Sequence, residues 1–270
     1  MANLFDMKGG RMLAILSKIA ERMPPEIGDE VISHPKIIDV MLEAAWVYLE
    51  DNPFEKSSSD LLAALHRAND EEGWGISKEA FDRLAITAPN WPRGKHAFLS
   101  FRIRFGEGSE GVALTFERHV ARIKSVFGES GFWRWEHLHS GMMPYKGEPV
   151  NRLRLLNGDH THNPVIEWVI VDLGTHRKRD SVTAVRDVKS LADELLVVAW
   201  MFPDMIRAID YYKLPGLFAA GYESNVHECD GRAWQSVVVV SFHNGNRQVD
   251  VNAFDRSLGD SNFSVPVLLE

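Results

Sequence analysis

Cysteine is almost absent from this chain, since Cys229 is the only one among 270 residues. A single cysteine cannot form an intrachain disulfide, and it cannot supply the thiolate pair of the common structural zinc sites. Free cysteine without disulfides is typical of proteins in reducing compartments. We therefore expect a cytoplasmic protein without disulfide bonds.

Long apolar runs are also missing. No stretch reaches the roughly 18 apolar residues that a membrane-spanning helix requires, and the chain has no internal repeat or low-complexity tract. Hydrophobic residues make up 45% of the chain and charged residues 25%, which is ordinary for a globular protein. The sequence predicts a soluble protein that does not associate with membranes.

The motifs of several large enzyme classes are absent. The chain has no Walker A loop, no glycine fingerprint of a dinucleotide-binding fold, no Gly-x-Ser-x-Gly elbow and no His-Glu-x-x-His zinc motif. Its formal net charge of −8 at pH 7 is opposite in sign to that of most nucleic-acid-binding proteins. We therefore do not expect a nucleic acid to be the partner.

Helical patterns dominate the first third of the chain, where apolar residues recur at helical spacing in several segments. The loop 57–60, of sequence Ser-Ser-Ser-Asp, offers an N-cap for a helix over residues 61–68, and Ser77 lies at the start of a helical pattern over residues 78–85. The segment 87–95 contains two prolines and a glycine, which is typical of a boundary. We predict a helical region over residues 1–92 and an α+β domain over residues 93–270, the alternative being a single domain.

The rest of the chain alternates between strand and helix patterns. Residues 96–105 and 150–156 alternate polar and apolar side chains, as half-buried strands do. Residues 165–174 form a nearly continuous apolar run, which is typical of a central strand covered on both faces. A helical pattern follows over residues 181–200, and a His-Asn-Gly-Asn sequence at 243–246 predicts a hairpin turn. We predict an α+β fold with a mixed, mostly antiparallel sheet and one long buried helix.

Two of the predicted strands carry pairs of arginines. Arg102 and Arg104 lie on the first strand, and Arg152 and Arg154 lie on the second. Because residues two apart in a strand face the same side, each pair presents two guanidinium groups on one face. Guanidinium groups bind carboxylates and phosphates in a bidentate manner. If the two strands are neighbours, their common face is a candidate site for an anionic ligand or a protein partner.

A cluster of possible metal ligands follows the second of these strands. His160 and His162 face one side if the segment is extended, and Glu167 lies just downstream. Imidazole and carboxylate groups suit divalent transition metals such as iron, manganese, nickel and zinc. A second pair, His137 and His139, offers completing ligands. The candidate metal ligands are therefore His160, His162, Glu167 and His139.

The order of these residues resembles a known metal-binding motif. His160-x-His162, followed by Glu167 and later by Gly174, is similar to the first motif of the cupin family, which binds a metal through two histidines and a glutamate. The resemblance spans fifteen residues, 160–174, and implies a metal ion held by the two histidines and the glutamate. The position of the family's leading glycine holds Arg154, and the family's second motif has no counterpart further along the chain.

These patterns lead to two hypotheses about function. The first is a non-catalytic binding or accessory protein whose arginine-bearing face engages an anionic ligand or a protein partner. The alternative is a metal-dependent hydrolase or oxygenase, in which the metal activates water or binds an oxygen-donating substrate. The sequence leaves open whether the chain is an enzyme.

Overall fold

The computed structural model describes ten parts of the chain, which are residues 54–91, 97–135, 138, 153–156, 162–173, 189–209, 214–225, 234–243, 245–257 and 263–269. All of them belong to one compact unit, Asn52–Glu270. The helices predicted before residue 52 and the predicted boundary at residues 92–93 lie outside the described residues.

Within the described residues, two helices precede the first strand. Helix α1 spans Ser58–Glu72, and the side chain of Ser57 accepts a hydrogen bond from the N–H of Asp60. Helix α2 spans Lys78–Ile86 and begins in the same way at Ser77. Each serine satisfies a backbone donor that the first helical turn leaves without an internal partner. The predicted cap within residues 57–60 is confirmed, but α1 begins three residues before Leu61, so residues 58–60 lie in the helix and not in a loop.

Three further helices lie among the described residues, namely α3 over Gly108–Phe127, α4 over Asp193–Met201 and α5 over Pro203–Arg207. Helix α3 is tied to the end of the first strand by Thr115, whose hydroxyl accepts from the N–H of Phe105 at 2.8 Å and donates to its carbonyl at 3.1 Å. None of the helices in the described parts of the chain is long and apolar enough to cross a membrane.

The described strands are β1 Ala97–Arg104, β2 Phe132–Arg134, β3 Leu153–Leu155, β4 Val165–Asp172, β5 Gly216–Ser224, β6 Ser236–His243, β7 Gln248–Asp255, β8 Phe263–Ser264 and β9 Val267–Leu269. They form a three-stranded sheet of order β1-β4-β9 and a six-stranded sheet of order β2-β7-β6-β5-β3, with β8 paired to β5. The β2–β7 and β5–β8 pairs are parallel and the other pairs are antiparallel. The predicted α+β fold with a mixed, mostly antiparallel arrangement is confirmed.

The predicted hairpin and the alternation of β1 are both present. Strands β6 and β7 pair up to His243 and Gln248, so the turn between them falls where the His-Asn-Gly-Asn sequence predicts it. In β1, Phe101 and Ile103 are buried while Arg102 and Arg104 are half-buried on the other face. This alternation sets the direction of both guanidinium groups.

The most deeply buried elements are α4, β5 and β6. Every residue of α4 is buried, as predicted for this segment, and β5 and β6 are buried along nearly their whole length. Strand β4 is central in its sheet but mostly half-buried, so the prediction that both its faces are covered is wrong. Its neighbours β1 and β9 shield its edges, while much of its surface stays partly accessible.

The buried helix is shorter than its sequence pattern. It begins at Asp193, because the residues before it are paired as extended chain. Leu191 N donates to Pro266 O at 3.3 Å, Leu268 N donates to Lys189 O at 2.8 Å, and Gly221 N donates to Leu191 O at 2.8 Å. Residues 189–192 therefore interrupt the single helix predicted over residues 181–200, and α4 begins at Asp193, while residues 174–188 lie outside the described residues.

Candidate anion-binding cleft

A cleft of about 550 Å³ opens where five segments meet: the turn between α1 and α2, helix α2, the end of β1, helix α3 and the start of β4. We call it the arginine cleft, because the charged side chains among its described lining residues are three arginines. Its lining residues are Trp74, Gly75, Ile76, Arg83, Arg104, Phe105, Gly106, Leu114, Arg118, Pro164, Val165 and Ile166.

Two of the three arginines have most of their hydrogen-bonding capacity unused. Arg83 donates from Nη2 to Ile166 O at 3.4 Å, and Arg118 donates from Nη1 to Trp74 O at 3.4 Å. A guanidinium group carries five N–H donors. Among the described residues, neither group forms an ion pair with a carboxylate. Both guanidinium groups are therefore charged donors available to a ligand.

The turn between α1 and α2 provides an aromatic wall. Gly73 ends α1 with φ 61° and donates its N–H to Asn69 O, while Ile76 N donates to the side chain of Asn69 at 2.8 Å. These bonds direct Trp74 inward, where its ring centroid lies 5.3 Å from that of Phe105. The guanidinium carbon of Arg118 lies 4.4 Å from the centre of the Phe105 ring. Stacking on this ring orients the Arg118 charge.

A close approach of two glycines shapes the wall beside β1. Gly106 has φ 70° between β1 and α3. A Cβ atom on Gly111 would lie 2.6 Å from Gly106 C and 2.7 Å from Nδ1 of His162. His162 fastens this corner, because its carbonyl accepts from Gly108 N at 2.8 Å and its Nδ1 lies 3.3 Å from Gly106 O. A side chain at position 111 would therefore clash with Gly106 and His162, so their close packing requires glycine there.

The third arginine connects the cleft to the interior. Arg104 donates from Nε to Asp193 Oδ2 at 2.7 Å, and Arg102 donates from Nε to Glu194 Oε1 at 2.5 Å. The hydroxyl of Tyr222 donates to the other oxygen of Asp193. Asp193 and Glu194 are 0% and 2% exposed. We call these five residues the buried charge network.

The arginines and the carboxylates of the buried charge network stabilise each other's charged forms. Burial alone would raise the pKa of the Glu194 carboxyl, but the charges of Arg102 and Arg104 hold this pKa below its usual value. Burial alone would lower the pKa of Arg104, but the carboxylates of Asp193 and Glu194 raise it. Burial, together with Asp193, raises the pKa of Tyr222 well above its usual value. The network is therefore charged but internally neutralised, and the hydroxyl of Tyr222 keeps its proton.

The arginines predicted to share a face are divided between the two sheets. Arg102 and Arg104 lie on β1 of the three-stranded sheet, where Arg102 also donates from Nη1 to Glu167 Oε1 at 2.6 Å. Arg154 lies on β3 of the six-stranded sheet, donates to Glu223 at 2.8 Å and lies 4.2 Å from the ring centre of Trp234. The two strands are not neighbours. Arg152 lies outside the described residues.

The predicted metal ligands are only partly covered by the structure, because His160 and His139 lie outside the described residues. His162 is buried, and its Nε2 lies 3.8 Å from Asp193 Oδ2. Burial lowers the pKa of this imidazole. Glu167 is 45% exposed and is paired with Arg102. Within the described parts of the chain, no group of three His, Cys, Asp or Glu side chains is arranged to hold a metal ion.

The sequence pattern identified Arg102 and Arg104, but it missed Arg83, Arg118, Asp193, Glu194 and Tyr222. Arg83 and Arg118 belong to separate helices, and no spacing rule connects them. Asp193 and Glu194 did leave a signal, since they are two acidic residues at the start of an otherwise apolar helix. Acidic side chains so placed must be paired when the helix is buried.

The chain was compared with protein-family models, with curated proteins and with solved structures, and none of the three comparisons found a match. The cupin resemblance therefore rests on residues 160–174 alone. The function has to be argued from the geometry of the arginine cleft.

Proposed function

We propose that this chain is a non-catalytic binding protein whose arginine cleft holds an anionic ligand. The proposal rests on the unused hydrogen-bond donors of Arg83 and Arg118. Both line the same cleft, and each uses one long hydrogen bond to a backbone carbonyl. Charge-assisted hydrogen bonds are roughly twice as strong as neutral ones, so the unused donors of these two groups favour an anionic ligand.

The charge distribution supports this proposal. The chain carries a formal net charge of −8, yet the described part of the cleft lining has three arginines and no acidic residue. Concave sites lined by one sign of charge attract ligands of the opposite sign. Since Asp193 neutralises Arg104, the attraction comes mainly from Arg83 and Arg118.

The composition of the cleft favours binding over catalysis. Among the lining residues that the structure describes, there is no His, Asp, Glu, Ser, Thr, Tyr, Cys or Lys side chain. General acid–base and nucleophilic catalysis rely on these groups, whereas a guanidinium group stays protonated in proteins. The cleft therefore offers positive charge and an apolar surface, but no side chain that exchanges protons near neutral pH.

Isothermal titration calorimetry with a panel of anions tests the proposal. The panel contains inorganic phosphate, sulfate, citrate, ATP, benzoate and 2-naphthoate. We expect at least one anion to bind the wild-type protein and to lose that binding in the double variant Arg83→Gln/Arg118→Gln. A matched double variant, Arg67→Gln/Arg247→Gln, removes two exposed arginines that do not line the cleft and is expected to bind like wild type. The proposal is overturned if no anion binds, or if both double variants bind equally well.

The metal-dependent alternative remains a separate hypothesis with its own test. Elemental analysis of purified, tag-free protein by inductively coupled plasma mass spectrometry addresses it directly. Near-stoichiometric metal that is lost in His160→Ala/His162→Ala would support a metal enzyme. Under the binding-protein proposal, we expect the wild type and this variant to carry the same trace amounts of metal.

A further inference from the structure

The arginine cleft also carries information about the class of ligand. We infer that its ligand is a small carboxylate whose anionic head is attached to an apolar body. This inference rests on the proposed function, and it adds what the rest of the ligand looks like. Three features of the cleft support it. Two guanidinium groups are available to an anionic head, the remaining surface is apolar, and the described lining residues have no side-chain acceptors for further polar groups.

Two guanidinium groups determine which anionic head the ligand can have. Arg83 lies on α2 and Arg118 on α3, so they reach the cleft from different helices, and both have unused donors. A carboxylate accepts two parallel N–H···O bonds from one guanidinium group and has lone pairs left for a second. A single carboxylate can therefore accept hydrogen bonds from both guanidinium groups, and its negative charge offsets one of their two positive charges.

The body of the ligand is set by the remaining surface. Apart from glycines and arginines, the described lining residues have aromatic, aliphatic and proline side chains. Trp74 and Phe105 are buried and in ring contact, whereas Val165 and Ile166 are half-buried and leave part of their apolar surface accessible. Covering such a surface with apolar atoms is favourable by the hydrophobic effect. The cleft volume of about 550 Å³ lies in the range of sites that take small organic ligands.

Hydrophilic anions are disfavoured by a lack of side-chain acceptors in the described part of the lining. The polar side-chain groups there are the arginine guanidinium groups and the indole N–H of Trp74, and all of them are donors. The hydroxyl groups of a sugar or a nucleotide would find no side-chain acceptor there. Burying a polar group without a hydrogen-bond partner is costly, so a polar body reduces affinity. A polyphosphate would also exceed the two charges that Arg83 and Arg118 supply.

Calorimetry with matched compounds tests the ligand class on the full chain. The probes are 2-naphthoate, its neutral counterpart 2-naphthylmethanol, the hydrophilic anions citrate and ATP, and a short acetylated peptide with one glutamate. We expect 2-naphthoate to bind tightest, with the alcohol and the hydrophilic anions at least about tenfold weaker, since a charged pair of hydrogen bonds exceeds the free energy of a tenfold change.

The apolar wall is tested by a pair of substitutions on one strand. Val165→Thr places a hydroxyl in the cleft, whereas Val169→Thr makes the same change four residues along β4 at a half-buried position outside the cleft. We expect the first to weaken 2-naphthoate binding roughly tenfold and the second to leave it unchanged, because only the first buries a hydroxyl against the ligand.

The outcomes separate this inference from the proposed function. If citrate, ATP or the peptide binds more tightly than 2-naphthoate, and the Arg83→Gln/Arg118→Gln variant loses that binding, the ligand class is wrong and the anion-binding function stands. Equal binding of 2-naphthoate and its alcohol would overturn both. Unchanged 2-naphthoate affinity in Val165→Thr would contradict the apolar body alone.

Discussion

The Nε atom of Arg104 lies 2.7 Å from Oδ2 of Asp193, and this contact divides the three arginines of the cleft into two kinds. Arg104 is 19% exposed and is committed to a carboxylate that is fully buried. Arg83 and Arg118 have no such commitment among the described residues. The division predicts that arginines of one cleft will respond differently to the same substitution.

Replacing Arg104 by glutamine is expected to destabilise the fold by about 3–5 kcal/mol, because it leaves the buried carboxylate of Asp193 without its counter-charge. The matched change Arg118→Gln removes a partly exposed guanidinium group that has no ion pair among the described residues and lies over the Phe105 ring, so it should cost only about 0.5–1 kcal/mol. Urea unfolding followed by circular dichroism measures both free energies. Similar losses of unfolding free energy for the two variants would contradict a special role of Arg104 in stabilising the fold.

Tyr222→Phe removes the hydroxyl that donates to Asp193 and leaves the ring in place. We expect a loss of about 1.5–3 kcal/mol in the free energy of unfolding, which is typical of a hydrogen bond to a charged group. A double-mutant cycle with Asp193→Asn provides the control. If the loss caused by Tyr222→Phe is the same in both backgrounds, the hydroxyl does not act through this carboxylate.

His119 predicts a loss of stability in mild acid. Its Nδ1 accepts from Nε1 of Trp200 at 3.3 Å and its Nε2 donates to Ile103 O at 2.8 Å, so the neutral ring is fully bonded. Burial lowers the pKa of this imidazole. A folded pKa below the unfolded value of about 6.5 means that the contribution to stability is complete above pH 6.5 and declines as the pH falls below it.

The measurement is the free energy of unfolding at pH 7.5 and at pH 5.5. A histidine of this kind adds a slope of at most about 1.4 kcal/mol per pH unit. We expect wild type to lose stability over this interval and His119→Gln to lose less, although His162 still contributes, because burial lowers its pKa as well. A variant with the wild-type slope would rule out His119 as a source.

Local patterns predicted those elements whose cause is local. The alternation of β1, the capping serines Ser57 and Ser77, and the hairpin after His243 each depend on residues within one turn or strand. The same reasoning did not predict the interruption before the buried helix. Residues 189–191 are held extended by pairing with distant strands, and a local pattern does not reveal such pairing.

The site could not be predicted in the same way, because its partners are distant in sequence. Arg104 and Asp193 are 89 residues apart, and Arg83 meets the backbone of Ile166 across 83 residues. The arginine pattern did identify Arg102 and Arg104 as charges on one face of β1. It did not reveal that this face packs against Asp193 and Glu194, since that depends on which helix covers the sheet.

Gly111→Ala tests whether the wall beside β1 needs the close approach of two glycines. The added Cβ would lie 2.6 Å from the backbone of Gly106. We expect a loss of about 1–3 kcal/mol in stability, as for other substitutions that overfill a packed site, together with weaker anion binding. Gly131→Ala is the control, because its Cβ would meet Phe127 at an ordinary 3.6 Å. Equal thermal stability of the two variants would contradict the packing argument.

The most direct test of the central claim is a nuclear magnetic resonance titration of the arginine side chains. The Nε–Hε resonances of Arg83 and Arg118, assigned from the two glutamine variants, are followed while the tightest-binding anion of the panel is added. We predict that these two resonances shift together and saturate with the calorimetric affinity. Saturable shifts at Arg154, with Arg83 and Arg118 unchanged, would place the anion elsewhere and contradict the account.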